Sequence, residues 1–193
     1  MTKADGFSIM RMIDLITAQV KKSTTKRRPG EIMSNQSKAG KMHRKSENDN
    51  TFLFLTDINS ILVSGEDTNG EFCVVHCSVK ENDGPPLHIH GNEDESFYVL
   101  DGELEMTLGD ETFFVQSGEY VFAPRGIPHT FKVRSKKARF LVTAYPAGFD
   151  SFVKELGTPY VEGMEAQLEP PTPEFFQKLI QVSNKYNITY PGL

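Results

Sequence analysis

Cysteine is scarce in this chain, and its spacing already narrows the chemistry. Cys73 and Cys77 are the two cysteines among 193 residues. They sit four apart in a strand-like run, about 13 Å at the strand rise, too far for a disulfide between them. Zinc-ribbon and redox-pair arrangements fail on the same spacing, so the two read as buried thiols in a reducing compartment. Long apolar runs are also missing. None approaches the roughly 18 consecutive residues that cross a bilayer, and the N-terminus lacks the compact apolar core and small-residue cleavage site of a secretory signal. We therefore expect no membrane span and a cytoplasmic location. No nucleophile triad, phosphate-binding glycine loop or dinucleotide fingerprint is present, which ranks hydrolase, kinase and dehydrogenase chemistry far down.

Charge is distributed very unevenly. Residues 1–50 carry 11 Lys+Arg against 5 Asp+Glu, a balance of +6, whereas residues 51–193 carry 10 against 21, a balance of −11. A boundary near residue 50 is expected, with a basic, disordered extension before it and a folded domain over 51–193. The extension holds an amphipathic run, Phe7 to Ile16, and a basic cluster, Lys21 to Arg28. Such a cluster suits phosphates or an anionic membrane surface, and it leaves organelle targeting open, although Asp5, Asp14 and the excess of lysine over arginine count against a transit peptide. The acidic body argues against nucleic acid as the main ligand.

From Phe52 to Tyr145 short strand-like runs recur, at about 52–56, 60–64, 71–79, 96–100, 103–108, 111–115, 120–123, 129–134 and 138–145, with turn signals such as Asp101-Gly102, Gly109-Asp110 and Ser117-Gly118 between them. That spacing predicts an all-β sandwich or barrel. After Tyr145 the period changes. Asp150 to Gly157 reads as a short helix with a glycine stop, and Thr172 to Tyr186 as a longer one with Thr172 as N-cap and Pro173 at the first helical position. The apolar face of the second helix, Phe175, Phe176, Leu179, Ile180 and Val182, implies docking on the barrel; a mouth-covering lid is the sharper alternative.

The densest chemistry lies in Gly84 to Gly102, where two histidines and the consecutive acids Glu93, Asp94 and Glu95 adjoin an apolar strand. Residues two apart on a strand share a face, so His88 and His90 can offer both imidazoles to one ion while Ile89 points away. Glu95, at the head of the next strand, can swing back to it. His129 is the best further donor, because in His129-Thr130-Phe131-Lys132-Val133-Arg134 the alternation sends His129, Phe131 and Val133 to one side. Imidazoles with a carboxylate suit a first-row transition metal rather than calcium or magnesium. His76 shares a face with Phe72 and Val74 and reads as a strand histidine rather than a further ligand. Parity from Glu95 puts Phe97 inward, and Phe97, Met106 and Phe131 are the candidate chamber wall and substrate pocket.

These two stretches resemble the two motifs of the cupin family, the double-stranded β-helix proteins. His88, His90, Glu95 and Gly102 match the first, His-x-His, three or four residues, Glu, six residues, Gly. Gly118, Pro124, Gly126 and His129 match the second at every spacing, while the asparagine of that motif is replaced by Val133, a position that is not a ligand in the family. The resemblance implies a jelly-roll β-barrel with short C-terminal helices, homodimers, and one divalent transition metal (Fe, Mn, Ni, Cu or Zn) on His88, His90, Glu95 and His129. The wider likeness, over roughly residues 51–190, is to single-domain cupins similar to quercetin dioxygenases. It implies oxidation of a small oxygen-bearing, aromatic or flavonoid-like molecule, with Glu95 as the catalytic base that deprotonates a bound hydroxyl. The alternative is a non-oxidative cupin, a metal-holding small-molecule binding or isomerase-type module, since one fold hosts many functions.

Overall fold

The computed structural model describes residues 42–45, 48–164 and 172–191. Most of the basic extension expected over residues 1–50 lies outside the described residues. Its last described part is tied to the body, because Arg44 pairs with Asp67 at 2.8 Å and donates to the Leu62 carbonyl at 3.1 Å. No helix among the described residues is long and apolar enough to cross a membrane.

Twelve strands form among the described residues, in chain order β1 (Thr51–Phe54), β2 (Asp57–Val63), β3 (Cys73–Lys80), β4 (Ile89–His90), β5 (Asp94–Asp101), β6 (Glu103–Leu108), β7 (Glu111–Gln116), β8 (Tyr120–Ala123), β9 (His129–Val133), β10 (Lys137–Tyr145), β11 (Thr158–Pro159) and β12 (Ile188–Thr189). One sheet has the order β11-β1-β2-β3-β10-β5-β8, a second β7-β6-β9, and β12 pairs with β4. The ladders are antiparallel, as in a jelly-roll barrel.

Alternation explains which faces close on one another. In β6, Leu104 and Met106 are buried while Glu103, Glu105 and Thr107 keep contact with solvent; in β10, Ala138, Phe140, Val142 and Ala144 point inward. Val75, Val99, Leu104, Met106, Val133 and Phe140 join the two sheets in one core. Outside it, Arg134 and Glu105 form an exposed ion pair, worth little. Both thiols are free and buried, as their spacing implied.

Two helices follow the barrel. Helix α1 (Phe149–Leu156) buries Phe152, Val153 and Leu156 and stops at Gly157. Helix α2 (Pro173–Lys185) starts as its sequence requires, with the Thr172 hydroxyl accepting the Phe175 N–H at 3.2 Å. The C-terminal segment is more than an appendage. Beyond α2, Ile188 and Thr189 pair with His90 and Ile89, and Asn187 accepts the Gly91 N–H at 2.9 Å. Two-residue strands such as β11 and β12 carry no periodic signal, which is why they were not foreseen.

Candidate metal centre

Backbone pairing brings the two motifs together. His88 and His129 exchange backbone hydrogen bonds, His88 N–H to the His129 carbonyl at 3.0 Å and the reverse at 2.9 Å. The Gly126 N–H also donates to the His90 carbonyl at 2.8 Å, fixing the turn before His129 against β4. Glu95 enters from β5, flanked in the sheet by Ala123 and Ala144, whose small side chains leave it room. His88, His90, Glu95 and His129 each offer one ligand atom, and these atoms lie within 4.8 Å of one another. The His129 Nε2 lies 3.0 Å and the His90 Nε2 3.4 Å from Glu95 Oε2. His90, Glu95 and His129 are buried, and His88 is half-buried and lines the chamber described below.

Every ring is held from behind. His88 Nδ1 lies 2.9 Å from the Pro86 carbonyl, His129 Nδ1 lies 3.0 Å from the Ile127 carbonyl, and His90 Nδ1 lies 2.7 Å from Glu93 Oε2. Each of those partners is an acceptor, so each Nδ1 donates and each Nε2 is turned toward the centre, where an ion would take the place of the proton that His129 Nε2 shares with Glu95 Oε2. The residues therefore fit a first-row transition metal: three imidazole nitrogens and one carboxylate oxygen, oriented in advance, could hold one ion.

The charge states of His88 and Glu95 agree with that role. Burial, reinforced by the neighbouring His129 and His90, pushes the His88 pKa down to about 3 and keeps its ring neutral. Burial alone would raise the Glu95 pKa, but His90, His129 and His88 outweigh it and hold the carboxyl at about 2. Burial would likewise lower His90, yet Glu95 and Glu93 together leave it raised.

The three consecutive acids have different jobs. Glu93 grips His90, Asp94 receives the backbone N–H and the guanidinium of Arg125, at 2.8, 3.0 and 2.6 Å, and Glu95 faces the donors. The exposed Asp94–Arg125 clamp steadies the turn that leads to His129. Glu93 was missed in the sequence; its signal is only an acid three residues after a candidate ligand.

The donor cluster opens into a chamber of about 150 Å³ whose walls include Phe97, Phe131, Phe140, Phe149, Phe175 and Phe176. By the same kind of measure a cavity of roughly this size accepts benzene. Phe97 and Phe131 thus stand where the alternation put them. Met106 does not. It is fully buried in the sheet-to-sheet core opposite Phe131, because alternation tells inward from outward but not which inward residue reaches the cavity. Helix α2 supplies Phe175, Phe176, Leu179 and Ile180 to the wall, so its apolar face both docks on the barrel and roofs the chamber. His76 is on β3 between Ser60 and Leu141, alternating with the chamber-facing Cys77, and is not part of the cluster.

One polar feature of the wall was unforeseen. Asp57, Asp83 and Thr56 line the same cavity, and burial, aided by Asp83 and opposed by the Thr56 hydroxyl, pushes the Asp57 carboxyl from 3.8 up to about 8. A carboxyl raised in the folded state costs stability where only the unfolded chain ionises. That cost is absent below pH 3.8, grows as pH rises, and is complete above about 8. Asp57→Asn is expected to raise the thermal midpoint increasingly across that window and to leave it unchanged at its acid end. A gain of equal size at every pH would contradict this assignment.

Residues 75–144 match the family described as the cupin domain. That stretch is a cupin domain. The chain is 31% identical over 109 residues to quercetin 2,3-dioxygenase of Bacillus subtilis, covering 56% of this chain and 32% of the relative. It is 27% identical over 110 residues to quercetin 2,3-dioxygenase of Aspergillus japonicus, covering 53% and 31%. The chain thus spans about a third of the length of these two relatives. An RmlC-like cupin structure from Shewanella frigidimarina superposes with a TM-score of 0.45 at 18% identity, covering 50% of this chain and 82% of that one.

Proposed function

We propose that this cupin binds one divalent transition metal on His88, His90, Glu95 and His129 and oxidises a small, largely apolar aromatic molecule that carries an oxygen donor. The observation that carries the reading is the meeting of four pre-oriented donors with a phenylalanine-walled chamber. The quercetin dioxygenases among its relatives support oxygen chemistry as the reaction class. A bound redox-active ion supplies a Lewis-acidic site for the substrate oxygen and electron exchange with O₂.

The chain's own groups divide the remaining work. Glu95 is held ionised, the form that accepts a proton from a ligand hydroxyl. The phenyl walls exclude water and orient a flat ring. Asp57, neutral near pH 7, can donate to a ligand oxygen away from the cluster. The volume holds one benzene-sized ring without movement of the walls. A three-ring flavonol therefore requires α2 to shift, and a monocyclic catechol-type compound does not.

The test is oxygen uptake by protein reconstituted separately with Fe, Mn, Ni, Cu and Zn, against flavonols and monocyclic enediols or catechols. Uptake is expected with at least one redox-active ion and none with Zn. Stoichiometric metal binding without uptake on any of these compounds would overturn the oxidative reading and leave a metal-holding binding module.

A further inference from the structure

We propose that Glu93 is the positioning residue of this centre: an acceptor-only side chain that locks His90 in the Nδ1–H tautomer and anchors that ring to the start of helix α1. The proposal rests on the reading of His90 as a metal ligand and adds the residue that governs it.

The geometry is two-sided. One carboxylate oxygen, Glu93 Oε2, takes the His90 Nδ1–H at 2.7 Å with both side chains buried. The backbone N–H of Phe149, the first residue of α1, faces the same carboxylate and favours its charged form. Oε1 is packed so closely beneath Gly148 that a Cβ there would fall 2.1 Å from it. Both neighbours are donors, and a carboxylate offers acceptors on both of its oxygens. The positive end of the helix dipole further favours a negative group there.

An amide cannot repeat this arrangement. If the NH₂ of a glutamine faced Phe149, two donors would oppose each other; if it faced His90, the ring would have to surrender its Nδ1 proton. The proton would then move to Nε2, the nitrogen turned toward Glu95, and its lone pair would be lost to the centre. The carbonyl partners of His88 and His129 are backbone atoms that no side-chain substitution removes. His90 is the ligand whose tautomer depends on a replaceable side chain.

Two variants test this from opposite sides. Glu93→Gln changes the chemistry of the partner. Gly148→Ala keeps Glu93 but occupies its seat, since the added Cβ would fall 2.1 Å from its Oε1. The first readout is the His90 tautomer in metal-free protein, from ¹⁵N–¹H couplings of the imidazole rings followed with rising pH until the ring is neutral, because Glu95 and Glu93 hold its pKa above the ordinary histidine value. The second is Zn²⁺ affinity by competition with a chromogenic chelator, with thermal melting as the folding control.

Wild type should show Nδ1–H at His90, and both variants should shift population to Nε2–H and bind Zn²⁺ roughly 10–100-fold more weakly. If His90 keeps Nδ1–H in both folded variants, the proposal is overturned, even if affinity falls, since the loss would then come from packing alone. Unchanged affinity alongside a switched tautomer would equally remove Glu93 as a determinant of the centre. Failure of the underlying metal reading looks different: wild type itself would bind no Zn²⁺, whatever the tautomers do.

Discussion

His129→Ala is expected to abolish metal retention, with a loss in affinity greater than the roughly 10–100-fold attached to an outer partner, because it removes a donor rather than its support. The ring is buried, its Nε2 lies 3.0 Å from Glu95 and its backbone pairs with His88, so one substitution empties a quarter of the proposed donor set without breaking a strand. The barrel should remain folded, since Leu104, Val133 and Phe140 hold the sheets together independently of the ring. His88→Ala should behave in the same way. His76→Ala should keep its full metal complement, because that ring lies outside the cluster. Elemental analysis of the purified proteins decides the matter. Equal metal in wild type, His88→Ala and His129→Ala would place the site elsewhere.

Gly84→Ala carries the largest expected effect on stability. A Cβ at this position would lie 1.9 Å from the Phe131 carbonyl oxygen and 2.9 Å from its carbon, and both atoms belong to backbone that cannot rotate away. The neighbouring chain is pinned as well, since Asn82 donates to the Val133 carbonyl at 2.9 Å and Val133 donates to the Asp83 carbonyl at 3.0 Å. Relief therefore requires β9 to move as a unit. We expect a loss of about 3 kcal/mol, the upper end of the usual overpacking cost, and a fall in thermal midpoint of about 6–12 °C for a chain of this size. Because β9 also carries His129 and Phe131, the metal centre should loosen in the same variant. A melting temperature within about 2 °C of wild type would show that the loop before His88 yields more easily than its contacts imply.

The donors were readable in the sequence because their spacing is that of a strand. His88 and His90 share a face through the two-residue period, and His129 follows the same rule with Phe131 and Val133. Helix α2 was readable for a different reason: Thr172, Pro173 and the apolar stripe are local signals, and the structure uses each of them. Glu93 and Asp57 were not readable. Neither belongs to a period, and the direction of each depends on something distant in sequence, the start of α1 for Glu93 and the loop holding Asp83 for Asp57. Met106 failed in the opposite sense. Its parity was right, but the cavity is set by where the sheets part, which alternation does not encode.

The pairing of β12 with β4 also bears on the order in which the molecule is made. Ile188 is the sheet partner of His90, so the strand that presents a proposed ligand finds its neighbour only when the far end of the described chain arrives. Contacts this distant in sequence form late, after the local hairpins β1–β2 and β6–β7 have given the barrel its frame. On a ribosome the barrel can gather while β4 still has a bare edge and the chamber no roof. The centre is then completed only when residues 188–189 reach β4, and an ion captured earlier would be held by a site that still lacks its last wall.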